Sequence, residues 1–376
     1  MPLKIAVMGN TGMNIGAAVA GDMALAGHDV RFLLWPEQRE CLDACRAAGG
    51  IEMGDPASET ISGKTGLAPL TAITDDPSEA LAGADLVVMD EAQLDLEARA
   101  PKFIPHLENG QVLHVNMHGY WPGFRLAPLL RAADKAGVTV TEGGTPPHAA
   151  ARSGARVTPG FIRRTLPLAA FPANRSEAAM ERLAAIVRSA EPCRNVIETN
   201  LESMNLLIHP AMALLNVGYY DRAEADGKRA DFYGTGNTVH AGKLVEALDA
   251  ERPAVCEAYG LRYRSVLDHI RLLYGAKGEN VHEAVAQSAF YRGVGDLPAD
   301  IWRTWLGTDL PLAHVPFVLL AETAGCPAPL HRGFVDIVAA LLDANPWQDG
   351  LTLERLGVTD MDPAAMNVYA ETGIAP

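Results

Sequence analysis

Residues 4–16 read Lys4-Ile-Ala-Val-Met-Gly9-Asn-Thr-Gly12-Met-Asn-Ile-Gly16, and this stretch decides the fold class. A short apolar run is followed by a turn with three glycines and then by small residues that suit a helix packed closely on a sheet. In dinucleotide-binding domains such a turn brings the backbone close to a pyrophosphate, and the helix amino terminus supplies free N–H groups and the positive end of its dipole. The spacing G-x-x-G-x-x-x-G is looser than G-x-G-x-x-G, so a plain strand-to-helix turn is the alternative.

Strand and helix patterns continue to alternate after this turn. The alternation predicts an α/β fold with an N-terminal Rossmann-type, doubly wound, mostly parallel sheet and helices on both faces. From about Ser176 the pattern changes: a helix is predicted from Glu177 to Ser189, a last short strand from Arg194 to Glu198, and mainly helix after Leu201. We therefore predict a dinucleotide-binding domain at 1–196 and a mainly α-helical substrate and catalytic domain at 197–376.

Composition limits the possible partners and the cellular compartment. The 376 residues are 48% hydrophobic and 20% charged, which is typical of a globular protein of about two domains. A net charge of −15 argues against a nucleic-acid or anionic-membrane surface, since both require a positive field. Neither a secretory signal nor a membrane-spanning run is found, so a cytoplasmic protein is predicted. The five cysteines are scattered, with Cys41 and Cys45 four residues apart, and they predict reduced thiols and no metal site.

The glycine turn and the end of the second strand contain the residues predicted to bind the cofactor. These residues are Gly9, Thr11, Gly12, Met13, Asn14, Gly16, Trp35 and Arg39. At the tip of the second strand an acid would accept from the ribose 2′-hydroxyl, whereas an arginine would bind a 2′-phosphate. The tip reads Trp35-Pro-Glu37-Gln-Arg39, which predicts NAD(P)H with a slight preference for NADP. The alternative is that Glu37 and Arg39 are solvated first-turn residues of the next helix.

The segment Leu201-Glu-Ser-Met-Asn205-Leu-Leu-Ile-His209-Pro210 contains the first candidates for the chemistry. In a helix Asn205 and His209 would share a face one turn apart, so both side chains would reach the same small substrate. A lone histidine in an apolar run is more often a satisfied core residue. On the residue pattern alone, general acid/base catalysis by His209 and a structural role both stay open.

A series of short motifs runs through the chain in a fixed order. They include Asn205-x-x-x-His209-Pro210, Phe232-Tyr233, Leu248-Asp-Ala-Glu251-Arg252, Thr308-Asp309-Leu-Pro311 and Gly350-Leu-Thr-Leu353, with Glu142-Gly-Gly-Thr-Pro-Pro-His and Pro167-Leu-Ala-Ala-Phe-Pro before them. In this order they resemble the opine dehydrogenase family, also described as octopine/nopaline dehydrogenases, over essentially the whole chain. The resemblance implies reductive condensation of an amine or amino acid with a 2-keto acid, a hydride from NAD(P)H at a domain cleft, and a homodimer formed through the helical domain.

The resemblance also implies roles for individual residues. His209 would be the general acid/base, Asp309 of a D-x-P turn would pair with it, and Asn205 would hydrogen-bond substrate or cofactor. A carboxylate beside an imidazole orients the ring and stabilises its protonated form. Arg303 is the nearest candidate to bind a substrate carboxylate, although its spacing is displaced by a residue and a surface arginine is the alternative.

The loop that follows Val115 contains two further candidate residues, and two competing functions stay open. His118 and Tyr120 are candidate substrate contacts in this loop, with structural burial as the alternative. One competing function is a two-domain ketone or 2-keto/3-hydroxy acid reductase of the ketopantoate reductase type, without an amine partner. Such an enzyme usually has a catalytic lysine in its helical half, and here Lys228, Lys243 and Lys277 lie in polar or loop-like surroundings. The other is a non-catalytic dinucleotide-sensing protein, for which a His–Asp pair would be superfluous.

Overall fold

The computed structural model describes residues 2–116 and 119–376, and the chain divides into two compact units. The N-terminal unit contains Met1–Thr199 together with Tyr369–Ala375, and the C-terminal unit contains Asn200–Val368 and Pro376. The predicted fold class is confirmed: a Rossmann-type α/β sheet comes first, and the second half is helical.

Strands of the N-terminal unit are named here in chain order. In the described residues they are β1 (Lys4–Met8), β2 (Asp29–Leu33), β3 (Gly50–Met53), β4 (Gly66–Pro69), β5 (Ala72–Thr74), β6 (Leu86–Met89), β7 (Val112–Val115), β8 (Thr139–Gly143), β9 (His148–Ser153), β10 (Arg156–Ile162), β11 (Leu166–Phe171) and β12 (Ala190–Pro192). The helices that follow or separate them are α1 (Ile15–Ala26), α2 (Arg39–Ala48), α3 (Pro77–Leu81), α4 (Leu96–Phe103), α5 (Pro122–Ala132), α6 (Ser176–Leu183) and α7 (Val196–Leu201).

The main sheet has the strand order β12-β11-β8-β7-β6-β1-β2-β5 among the described residues. Of its neighbouring pairs in that part of the chain, β8 and β11 are antiparallel and the others are parallel. Successive side chains of β1 enter opposite cores: Ile5 and Val7 belong to one buried cluster, and Ala6 and Met8 to the other. Because both faces are covered, β1 is a continuous apolar run rather than an alternating one.

A second sheet, with the order β4-β3-β10-β9, was not predicted from the sequence. Its strands are short, and the pairing of Glu52 with Arg156 joins residues about a hundred positions apart.

The predicted strand from Arg194 to Glu198 was wrong, because helix α7 begins at Val196. The Asn195 side-chain oxygen accepts from the backbone N–H groups of Ile197 and Glu198 and thereby starts that helix.

Described residues of the C-terminal unit are mainly helical, as predicted. The helices are α8 (Ile208–Leu214), α9 (Val217–Ala225), α10 (Val239–Asp249), α11 (Arg252–Ala258), α12 (Val266–Tyr274), α13 (Val281–Gln287), α14 (Ala289–Val294), α15 (Ile301–Asp309), α16 (Val315–Thr323), α17 (Pro329–Leu341), α18 (Pro346–Asp349) and α19 (Pro363–Thr372). Among the residues that the structure describes, no helix is both long and apolar enough to cross a membrane.

Two local predictions in this unit were wrong. Asn205 and His209 do not share one helix: Asn205 lies in a 3₁₀ turn (Met204–Leu206), and α8 begins only at Ile208. Proline is tolerated in the first turn of a helix but not in its interior, so Pro210 favours this late start. Asp309-Leu-Pro311 is not a turn either, because α15 continues through a π-helical segment (Leu310–His314) into α16.

Candidate active site

Three residues predicted from the sequence meet in the C-terminal unit. The Nδ1 atom of His209 lies 3.1 Å from Oδ2 of Asp309, and Asn205 Nδ2 donates to Oδ1 of the same carboxylate at 3.3 Å. Asp309 is buried, with 1% of its side chain exposed, whereas 12% of the His209 side chain is exposed. The carboxylate therefore has one oxygen on the imidazole and the other on the amide.

This arrangement determines which nitrogen of His209 can exchange a proton. An ionised carboxylate only accepts hydrogen bonds, so Nδ1 carries the hydrogen that faces Asp309. The other nitrogen, Nε2, lies 2.8 Å from the Tyr233 hydroxyl, which donates to it when the ring is neutral. His209 is thus held from both sides and retains one basic nitrogen, as a general acid/base requires.

Aromatic side chains surround the imidazole. The Trp305 ring stacks on His209 with centroids 4.2 Å apart and planes inclined by 16°, and Phe232 meets the imidazole edge-on at 6.2 Å. Trp305 and Asp309 are four residues apart on α15, so this helix presents both to His209 from one face. Trp305 and Tyr233 were not predicted; the i,i+4 spacing from Asp309 and the Phe232-Tyr233 motif were the available signals.

The glycine turn of the N-terminal unit is closely packed at its ends and open at its middle. A Cβ atom at Gly16 would overlap the Gly9 carbonyl oxygen, and Gly9 itself has φ +84°, so both positions require glycine. A Cβ at Gly12 would meet no atom within 4 Å. Asn14 has left-handed backbone angles (φ 52°, ψ 33°) and immediately precedes the 12-residue helix α1. These features suit a phosphate group bound at the amino terminus of α1.

Two acidic residues that follow β6 lie at this turn, and the sequence reasoning missed them. Asp90 is fully buried and accepts from Thr11 N at 3.0 Å, Thr11 Oγ1 at 2.7 Å and Gly16 N at 2.7 Å. Glu91 is also buried, and its Oε1 accepts from Trp35 Nε1 at 2.6 Å. Burial raises the pKa of Asp90, and it raises the pKa of Glu91 to about 7 against the lowering effects of Arg99 and Trp35. Thr11 and Gly16, predicted to bind the cofactor, here bind Asp90.

Comparisons with known proteins bear on the family and the fold of the chain. Residues 192–342 match the family model described as NAD/NADP octopine/nopaline dehydrogenase, alpha-helical domain. An opine dehydrogenase from Arthrobacter sp. (strain 1C) is 26% identical over 360 residues, covering 95% of this chain and 96% of the relative. The resemblance to the opine dehydrogenase family is confirmed. The chain is an opine dehydrogenase-like, NAD(P)-dependent oxidoreductase.

Solved structures with the same fold include an opine dehydrogenase and a different reductase. An octopine dehydrogenase in complex with NADH and agmatine has a TM-score of 0.72 at 18% identity, with 97% of each chain covered. A ketopantoate reductase of the PanE/ApbA family from Ralstonia eutropha JMP134 has a TM-score of 0.58 at 20% identity, covering 91% of this chain and 99% of that one. At these identities the similarity concerns the fold alone.

Arg303, expected from the opine dehydrogenase resemblance to bind a carboxylate, lies in a surface ion-pair network. Its guanidinium contacts Glu224 at 2.7 Å and Asp221 at 3.3 Å, and it lies over the ring of Trp302. On α15 it is two residues from Trp305, so it projects from a different face of the helix. Binding of a substrate carboxylate by Arg303 therefore stays a prediction.

The remaining predicted contacts of this opine dehydrogenase-like chain are less informative. Tyr120 is 3% exposed, and its carbonyl oxygen accepts from Arg125, which fits the alternative of structural burial. His118 lies outside the described residues. Arg39 is largely exposed and pairs with Asp43 at 3.1 Å and Asp75 at 4.0 Å. In residues 2–116 and 119–376, no group of three or more His, Cys, Asp or Glu side chains is arranged to hold a metal ion.

Proposed function

We propose that the chain reductively condenses a 2-keto acid with an amine or amino acid, or oxidises the product in reverse. The observation that carries this proposal is the imidazole of His209, held by Asp309 and bonded to Tyr233. The glycine turn, from Gly9 to Gly16, would hold the dinucleotide pyrophosphate at the start of α1. When bound, reduced nicotinamide supplies the hydride.

His209 would move the protons that the condensation requires. As the amine nitrogen bonds to the keto carbon, neutral Nε2 takes a proton from that nitrogen and passes it to the former keto oxygen, which gives a carbinolamine. The imidazolium, formed again with a proton from solvent, then donates to the carbinolamine hydroxyl, which leaves as water while the nitrogen lone pair forms the C=N bond. Asp309 stabilises the imidazolium in both events, at a distance of 3.1 Å. The resulting protonated imine accepts the hydride at its carbon.

Asn205 and Trp305 would keep this pair in position. The Asn205 amide donates to the Asp309 oxygen that does not face the imidazole, so the carboxylate cannot rotate without losing a hydrogen bond. Trp305 covers one face of the His209 ring and limits its movement and hydration. The preference for NADP predicted from Arg39 is not part of the proposal, because Arg39 is paired with two aspartates.

The test is oxidation of NADH and NADPH with a panel of 2-keto acids, each measured with and without amino acids and simple amines. Oxidation that requires the amine supports the proposal. Oxidation without an amine would instead indicate a keto-acid reductase, the function of the ketopantoate-type fold relative. Tight dinucleotide binding without turnover under any condition would indicate a sensing protein. The predicted homodimer and cytoplasmic location need separate measurements by sedimentation and fractionation.

A paired variant assigns the chemistry to the imidazole. His209→Ala is expected to lower turnover on the order of 10²–10⁴-fold while dinucleotide binding is retained. His240→Ala is the matched control, because His240 is an exposed histidine on α10 of the same unit. Full activity of His209→Ala would remove His209 from the mechanism.

A further inference from the structure

The acidic residues after β6 lie at the point in the sheet where a dinucleotide is expected to bind. Met8 at the end of β1 is in register with Leu33 at the end of β2 and with Met89 at the end of β6. The chain continues outward from β1 in opposite directions, through β2 and through β6, which makes this edge a topological switch point. Asp90 and Glu91 follow β6 directly, beside the glycine turn.

Glu91 lies against the glycine turn and against the tip of β2. A Cβ atom at Gly9 would overlap Oε1 of Glu91, so the carboxylate covers this glycine directly. The same oxygen accepts from the indole N–H of Trp35, which follows β2. In other dinucleotide sites the acid that accepts from the adenine ribose stands at the tip of the second strand. Here the strand tip supplies Trp35, and the carboxylate reaches it from the end of β6.

Cations near Glu91 are already shared among carboxylates. The Nη1 atom of Arg99 lies 2.7 Å from Oε1 of Glu37 and 3.2 Å from Oε2 of Glu91. The Nζ atom of Lys102 lies over the Trp35 ring, 5.9 Å from its centroid. Arg99 is thus shared between Glu37 and Glu91, and the carboxylates of Asp90 and Glu37 act on Glu91 as like charges. The only cation that the sequence offered as a phosphate ligand at the strand tip, Arg39, is engaged by Asp43 and Asp75 among the described residues.

We propose that the carboxylate of Glu91, with Glu37 and Asp90 beside it, makes the glycine-turn site select NADH over NADPH. This inference rests on the proposed function, since it presumes that the turn binds a nicotinamide dinucleotide. A hydroxyl on the adenine ribose can donate to a carboxylate, whereas a 2′-phosphate carries about −1.5 to −2 charges at pH 7 and is repelled. Because Glu91 is buried, water and salt screen this repulsion weakly.

Direct binding measurements test the selectivity without relying on turnover. Nicotinamide fluorescence of NADH and NADPH titrated with the protein yields both dissociation constants. We expect NADH to bind about tenfold or more tightly than NADPH, from a like-charge interaction at several ångströms. Glu91→Gln should narrow the ratio severalfold, because the amide keeps an acceptor for Trp35 and removes the charge. Equal affinities in the wild type, or an unchanged ratio in Glu91→Gln, would overturn the proposal.

Asp43→Asn is the matched control for the competing interpretation. It frees Arg39 from one partner and leaves the charge beside the glycine turn unchanged, so we expect the NADH/NADPH ratio to stay as in the wild type. A large gain in NADPH affinity in this variant would instead assign cofactor choice to Arg39 and contradict the role of Glu91.

Competition with fragments keeps the test valid if Glu91→Gln does not fold. Displacement of NADH from the wild type by AMP should be stronger than displacement by adenosine 2′,5′-bisphosphate, which differs from AMP only by the 2′-phosphate. The reverse order would overturn the proposal. If neither NADH nor NADPH binds, the proposed function itself fails; if both bind equally, only the selectivity proposal fails.

Discussion

Asp309 in the C-terminal unit and Asp90 in the N-terminal unit are both buried aspartates that accept several hydrogen bonds, but their partners differ. Asp309 faces an imidazole that can gain a proton, with an amide on its other oxygen. Asp90 faces backbone and hydroxyl donors that remain neutral, and a second carboxylate, Glu91, follows it. The first arrangement would stabilise a charge that appears on His209 during the proposed reaction. The second places two carboxyl groups where an anionic ligand is expected.

The largest effect is expected from removing the charge of Asp309. Asp309→Asn keeps the size of the side chain but can present an N–H group to Nδ1, which would shift the imidazole hydrogen to Nε2 and remove its basic site. We expect turnover to fall on the order of 10²–10⁴-fold with dinucleotide binding nearly unchanged. Asp221→Asn, a change at an exposed aspartate of the same unit, is the control. Wild-type turnover in Asp309→Asn would show that the His–Asp contact is only structural.

A pair of glycine substitutions separates packing from ligand space in the N-terminal unit. Gly16→Ala places a methyl group on the Gly9 carbonyl oxygen, so we expect a loss of about 1–3 kcal/mol in the free energy of unfolding, together with weaker dinucleotide binding. Gly12→Ala meets open space and should unfold like the wild type, yet it should weaken dinucleotide binding if the open side of the turn receives the pyrophosphate. Denaturant titration and NADH fluorescence measure the two effects. Unchanged NADH affinity in Gly12→Ala would place the ligand elsewhere.

The two regions also differ in how well the sequence predicts them. The His209 cluster depends on side chains within short motifs, so Asn205, His209 and Asp309 were all named, although the helix expected to join the first two is interrupted. The wrong helix prediction did not affect the prediction of the cluster, because a 3₁₀ turn followed by α8 also brings the side chains of Asn205 and His209 to Asp309.

The acidic pair at the glycine turn was missed for a physical reason. Asp90 and Glu91 follow an ordinary buried strand, and their importance arises only when sheet order places β6 beside β1. A local pattern shows the apolar run of β6 but not its neighbour. The same limit explains the second sheet, whose pairing of β3 with β10 depends on distant residues, and the π-helical segment at Leu310–His314, which replaces the turn expected from Pro311.

A smaller effect is expected from Tyr233→Phe. The variant loses one hydrogen bond to Nε2 of His209, which is worth about 0.5–1.5 kcal/mol, so we expect turnover to fall roughly twofold to tenfold. The lost hydroxyl no longer fixes the position of the ring, so kcat should fall while the affinity for NADH stays as in the wild type. Tyr263→Phe, which removes a hydroxyl bonded to Asp249 in the same unit, is the control and should keep the wild-type kcat. Wild-type kcat in Tyr233→Phe would mean that the hydroxyl merely fills space beside His209.

The smallest effect, and the one that most directly probes the acidic pair, is the pH dependence of cofactor choice. Burial raises the pKa of Glu91 to about 7, and the groups that face it are Trp35, Arg99, Asp90 and Glu37. Above that pH the carboxylate is charged and repels a 2′-phosphate; below it the carboxyl group is neutral and the repulsion is lost. The preference for NADH over NADPH should therefore shrink by about threefold between pH 8 and pH 6.

Glu91→Gln supplies the control for this measurement, because the 2′-phosphate of NADPH itself gains a proton with a pKa of about 6. In the variant Glu91 no longer titrates, so the pH dependence that remains belongs to the phosphate and the other groups of the site and is subtracted. If the wild type and Glu91→Gln show the same change in the affinity ratio, Glu91 does not titrate beside the ligand. The ion pair with Arg99 would then keep the Glu91 carboxylate charged between pH 6 and pH 8. In that case the preference for NADH at pH 6 would be as large as at pH 8, apart from the change caused by the phosphate.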